Sequence, residues 1–107
     1  MANMLMTEQD IQNSIRLKLS EMGYYVERTN VGKIKLSDGR WFDCGPPKGS
    51  TDLKAYKDGK AYFLEVKTPT GKVRPDQENF IRQMQERYHM PAAIVRSVEE
   101  AVEFVSS

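Results

Sequence analysis

Ile11, Ile15, Leu19 and Met22 recur at helical spacing up to Gly23, and Thr7 with Asp10 forms a capping-box pattern ahead of them, which predicts an amphipathic helix over 7–22. Glu8 lies three residues before Ile11 and seven before Ile15, so it continues the apolar stripe, while Gln9, Gln12 and Arg16 fall on the solvated side. Next, YYVER (24–28) and KIKL (33–36) read as short strands around TNVG, with a turn at Ser37, Asp38 and Gly39 and a hairpin in this stretch. DCGPPKGST (43–51) holds two glycines and two adjacent prolines and reads as an irregular loop. DLKAYK and KAYFLEVK alternate as strands and are joined by Asp58-Gly59, the dipeptide that favours a two-residue type I′ turn. Beyond a turn at Pro69, Gly71 and Pro75, a helix runs to about Tyr88, with Pro75 at its first position and Gln77, Phe80, Ile81, Met84 and Tyr88 as its inner stripe. AAIVR (92–96) is a short strand, and Val98, Ala101, Val102 and Val105 form the stripe of a closing helix. Helix, several strands, helix, strand, helix predicts an α/β sandwich with a central mixed sheet flanked by helices.

The Asp58-Gly59 turn also fixes a register: Lys57 faces Lys60, Leu53 faces Leu64, and Asp52 faces Glu65. Directly opposed like charges destabilise a sheet, so this pair calls for compensation. Lys67 shares the face of Glu65, two positions on, and by itself an E-x-K on a strand is most often a salt-bridged surface. One ammonium does not neutralise two carboxylates; a divalent cation does, and oxygen ligands suit magnesium or manganese. Gln77 and Glu8 each put a polar side chain at the inner end of a core-facing stripe, although an acid in a first helical turn also serves the helix dipole.

Composition narrows the alternatives. The 107 residues suit one domain spanning 1–107. Sixteen basic and fifteen acidic residues leave a net charge of +1, so affinity for nucleic acid must come from local clusters and metal ions. A single cysteine, Cys44, and a single histidine, His89, exclude an internal disulfide and a zinc cluster. The glycine-rich loop lacks the G-x-x-x-x-G-K-[ST] order of a nucleotide-binding loop. With no apolar run long enough to span a bilayer and no signal-peptide pattern, a soluble, cytoplasmic chain is expected, with no membrane partner and no small-molecule organic cofactor.

Asp52, a hairpin and then Glu65-Val66-Lys67 resembles the PD-(D/E)xK nuclease superfamily, with its restriction-endonuclease-like fold. More narrowly, GSTDL, FLEVKTPTGKVRPDQ and IVRSVEEAVEFV resemble the virus-type replication and repair nuclease (VRR-NUC) domain, in its stand-alone phage and bacterial form. The resemblance covers nearly the whole chain. One departure is Thr51, where the family usually has proline before the aspartate.

The resemblance implies a Mg2+- or Mn2+-dependent endonuclease acting on DNA, branched forms such as four-way (Holliday) junctions in particular, as a homodimer. It implies Asp52 and Glu65 as metal ligands, helped by the main-chain carbonyl of Val66 and by Glu8 directly or through water. Lys67 would orient the attacking water or offset phosphate charge, and Gln77 would position water or the lysine. Lys33, Lys35, Arg40, Lys48, Lys72 and Arg74 are candidates for backbone phosphate contacts. Trp41 and Phe42 read as core or dimer interface, or else as a wedge that stacks on a base, and with Tyr24 and Tyr25 they form the expected contact surface of the dimer. Two other readings use the same fold: a DNA-binding or assembly module that does not cleave, for which opposed acids would have no use, and a restriction-type enzyme, for which the chain shows no recognition insertion.

Overall fold

The computed structural model describes residues 6–29, 33–43 and 49–107, and for Lys33, Ile34 and Asp43 the backbone only. Three helices and six strands follow in the order α1 (Glu8–Glu21), β1 (Tyr25–Arg28), β2 (Lys33–Lys35), β3 (Trp41–Asp43), β4 (Leu53–Lys57), β5 (Lys60–Val66), α2 (Pro75–Glu86), β6 (Ala92–Val95) and α3 (Val98–Ser106). One sheet has the order β1-β4-β5-β6, antiparallel except for the parallel β5–β6 pair; β2 and β3 form a separate antiparallel ribbon. This is the mixed-sheet α/β sandwich that the pattern predicts.

Local chemistry explains where the elements begin. The Thr7 hydroxyl accepts from the Asp10 N–H and the Asp10 carboxylate accepts from the Thr7 N–H, each at 3.1 Å, so both orphan donors at the start of α1 are satisfied. Asp58 and Gly59 both have positive φ, as a type I′ turn requires, and the ladder from Lys57↔Lys60 to Leu53↔Leu64 is the expected one. Leu53, Ala55, Tyr62, Leu64, Val66 and Val95 cover one face of the sheet with Ile11, Ile15 and Leu19 of α1 and Ala101 and Val105 of α3. On the opposite face Phe63 meets Phe80 of α2 edge to face, with ring centroids 6.5 Å apart. The polar residues at the C-terminal end of β5 therefore lie between two packed layers.

Four expectations need correction. The hairpin near residue 33 joins β2 to a strand, β3, that the pattern did not mark, while β1 pairs with β4, where Tyr25 stacks on Tyr56 and Glu27 accepts from the Tyr56 hydroxyl. Gln12 is buried, not solvated: it sits between Ile11 and Ile15, and its carbonyl accepts from Gln9. Tyr88 is exposed because α2 ends at Glu86 and buries fully only Gln77, at its first turn. Tyr24 packs partly inward, with its hydroxyl donating to the Val105 carbonyl and its ring against Tyr62, so it is half-buried and not a bare aromatic surface. Among the described residues no helix is long and apolar enough to cross a membrane.

Candidate active site

Asp52 stands just before β4 and Glu65 near the end of β5, so the hairpin register brings their side chains to one end of the sheet. Glu8 joins them from the first residue of α1. One carboxylate oxygen from each of the three lies within 4.8 Å of the others. The Val66 N–H donates to Asp52 Oδ2 at 2.9 Å, and Thr29 N–H donates to the Asp52 carbonyl at 2.8 Å, which pins the loop end to the sheet. A strand residue turns its N–H and C=O to the same side, so the Val66 carbonyl faces the side that Asp52 occupies, while Lys67 N–H turns the other way to the Val95 carbonyl.

Glu65 is the centre of the cluster. It is 2% exposed, and Lys67 and Gln77, both also buried, converge on its Oε2: the Lys67 ammonium at 3.8 Å and the Gln77 amide nitrogen at 3.1 Å. The other end of the Gln77 amide accepts the Arg74 N–H at 3.0 Å, so the start of α2 sets which way the amide points. Sequence reasoning gave Gln77 to water or the lysine; the structure gives it to the carboxylate. Glu65 Oε1 is buried with no hydrogen bond from a described donor. Burial first, and the Asp52 carboxylate second, push the Glu65 carboxyl from 4.5 up to about 8, against the opposing pull of Lys67. Protonated, Glu65 can donate to Asp52; with both ionised, the two carboxylates face each other and Oε1 has no donor.

Three carboxylates from separate parts of the chain, one of them on a buried residue with an oxygen that no described donor reaches, fit a hard divalent cation. The donor set has neither thiolate nor imidazole, and Gln77 holds Glu65 Oε2 so that Oε1 is the free end.

Two supports for this site were not read from the sequence. Arg96 Nη1 donates to the carbonyls of Thr68 at 2.6 Å and Gly71 at 2.9 Å, closing the turn that follows Lys67. The sequence signal is Arg96 within IVRSVEEAVEFV, just before α3. Gly49, at φ +91°, lies against the backbone of Asp76, and a Cβ there would clash with the Asp76 carbonyl. The approach to Asp52 is thereby locked to the helix that carries Gln77. Thr51, in the position usually held by proline, is buried and its carbonyl accepts from the Thr29 hydroxyl.

Lys35, Arg40, Lys72 and Arg74 are exposed, with Arg40 paired to Asp38 at 2.7 Å and Arg74 to Asp76 at 3.1 Å. Lys33 is described by its backbone alone, and Lys48, Cys44 and most of the glycine-proline loop lie outside the described residues. Trp41 and Phe42 are 65% and 53% exposed, so they are no part of this chain's core. His89 is exposed, at positive φ in the turn after α2.

No family model and no curated protein matches the chain. Among solved structures, one described as "VRR_NUC domain" superposes with a TM-score of 0.66 at 22% identity, covering 94% of this chain and 97% of that one. The chain therefore has the fold of a VRR_NUC domain over almost its full length.

Proposed function

We propose that this chain is a single-domain, divalent-metal-dependent DNA endonuclease selective for branched structures such as four-way junctions. The observation that carries the reading is the Glu8, Asp52 and Glu65 cluster, with a buried Glu65 oxygen that lacks a donor and a buried lysine beside it. The shared fold supports it. Asp52, Glu65 and the Val66 carbonyl would hold magnesium or manganese, with Glu8 as a further ligand. When bound, such a cation supplies Lewis acidity and an activated water.

The chain's own residues do the rest. Gln77 donates to Glu65 Oε2 and so would fix the orientation of the carboxylate while leaving Oε1 available as a ligand. Lys67, largely withdrawn from solvent, presents a compact positive charge where charge develops on the phosphate and orients the attacking water. Protonation of Glu65 opposes metal loading, because a ligand carboxylate must be ionised. Lys72 and Arg74, exposed between the Lys67 turn and α2, would meet the DNA backbone. Paired cuts across a branch need two sites, and the described residues hold one acidic cluster, so the active species is a homodimer in this reading.

The test is cleavage of labelled linear, forked and four-way-junction DNA by the purified chain with magnesium, manganese or excess chelator. Metal-dependent paired cuts in the junction are expected. Binding to every DNA without a cut under any metal would replace the nuclease by a non-cleaving binder.

A further inference from the structure

We propose that the β2–β3 ribbon is a nucleobase-stacking element: it inserts at a branch point or other opened site in DNA, with Trp41 and Phe42 against unpaired bases and Lys35 against the adjoining phosphates. This rests on the reading of the chain as a DNA enzyme and adds to it the element that would recognise the branch. β2 and β3 pair only with each other, so the ribbon is not part of the central sheet. Trp41 and Phe42 are consecutive on β3, and consecutive strand residues point to opposite faces. Both are more than half exposed, so neither face of the ribbon is enclosed by a packed layer of the described residues.

That arrangement separates two partners. A second copy docking face to face would bury one aromatic and leave the other bare. A ribbon inserted between separated strands uses both. Lys35 is the direct cross-strand partner of Trp41, which sets an exposed ammonium beside an exposed indole. An aromatic face for a base with a cation for its phosphate is the chemistry of sequence-tolerant single-strand binding. Lysine is depleted from the cores of interfaces between proteins. From Lys33 to Phe42 the chain carries Lys33, Lys35 and Arg40 against Asp38 alone, a local excess of positive charge on a nearly neutral protein, although Arg40 already holds Asp38.

Trp41 is the only tryptophan, so its fluorescence reports on the ribbon directly. In excess chelator, titration with oligo(dT) and with a four-way junction should quench it, while a linear duplex should do so only at much higher concentration. Measured by anisotropy of labelled junction, Trp41→Ala should bind about tenfold more weakly and Trp41→Ala with Phe42→Ala about a hundredfold, whereas Trp41→Phe should retain most of the affinity because a phenyl ring still stacks. Both side chains are exposed, so melting temperatures should not move. Unquenched fluorescence, or junction affinity unchanged in the double variant, overturns the proposal. So does a double variant that turns a dimer into a monomer with its DNA affinity intact, which would make the ribbon an interface between copies. Wild-type hydrolysis of bis(p-nitrophenyl) phosphate with manganese reads the acidic cluster separately. Quenching without hydrolysis sinks the nuclease reading and supports the ribbon; hydrolysis without quenching does the reverse.

Discussion

Glu65→Gln should stabilise the metal-free protein and remove a specific part of its pH dependence. Burial and Asp52 raise the Glu65 carboxyl to about 8 in the folded chain, against 4.5 for the ordinary side chain. An acid whose folded pKa lies above its unfolded value keeps more protons in the native state, so stability is highest below pH 4.5, falls as pH rises through the window to 8, and is level above it. Each pH unit inside the window costs about 1.4 kcal/mol, which makes the ionisation of Glu65 worth about 3 kcal/mol against folding at pH 7. Glutamine keeps the acceptor for Gln77 and offers Asp52 a donor, so it reproduces the protonated state at every pH. Urea unfolding at pH 5, 6, 7 and 8 in chelator should show wild type losing stability while the variant does not, with the variant ahead by about 3 kcal/mol at neutral pH. Saturating manganese should then raise wild type by about 3 kcal/mol at a hundred times its Kd and flatten its slope, and leave the variant nearly unmoved. A wild-type profile parallel to that of Glu65→Gln in chelator would refute the reasoning, since it would mean that the buried carboxyl titrates normally.

Lys67→Ala should lower single-turnover cleavage by about a hundredfold or more with unchanged DNA affinity, because in the proposed mechanism the buried ammonium acts on the reacting phosphate; equal rates would remove it from the chemistry. Gly49→Ala should destabilise the fold by about 1–3 kcal/mol in thermal unfolding, since the position has positive φ and its Cβ would meet the Asp76 backbone; a neutral substitution would show that the loop can shift. Arg96→Ala should lower kcat more than it raises KM, because it frees the Thr68 and Gly71 carbonyls in the turn after Lys67, and Arg96→Lys should restore part of the loss; a change in KM alone would place Arg96 in DNA binding instead.

The parts of the fold legible in the sequence are those fixed by local chemistry. The Asp58-Gly59 turn sets the β4–β5 register, and from that register alone Asp52 meets Glu65. Thr7, Pro75 and the apolar stripe of α1 mark helix starts in the same local way. Pairing between distant strands has no such marker: β1 joins β4 through Tyr25 on Tyr56 and Glu27 on the Tyr56 hydroxyl, contacts that no turn announces. β3 escaped notice because a strand with both faces in water carries no alternation of apolar and polar residues. In the site, carboxylates, lysine and glutamine stood out as polar residues on inward faces, whereas Gln12 and Tyr88 were misplaced because burial is set by the neighbouring layer and not by the period of the helix. Arg96 escaped a role because its partners are main-chain carbonyls, and backbone acceptors leave no trace in side-chain pattern.

The central claim, that the acidic cluster holds a metal that cuts DNA, is met most directly by the rate of junction cleavage in manganese for wild type and Asp52→Asn at DNA concentrations that saturate both. Asparagine still offers an oxygen to the Val66 N–H, so the fold survives while a charged ligand is lost. The account predicts rapid cleavage by wild type, none in chelator, and a loss of at least about a hundredfold in the variant. Cleavage by Asp52→Asn at the wild-type rate, or by wild type in excess chelator, would contradict it.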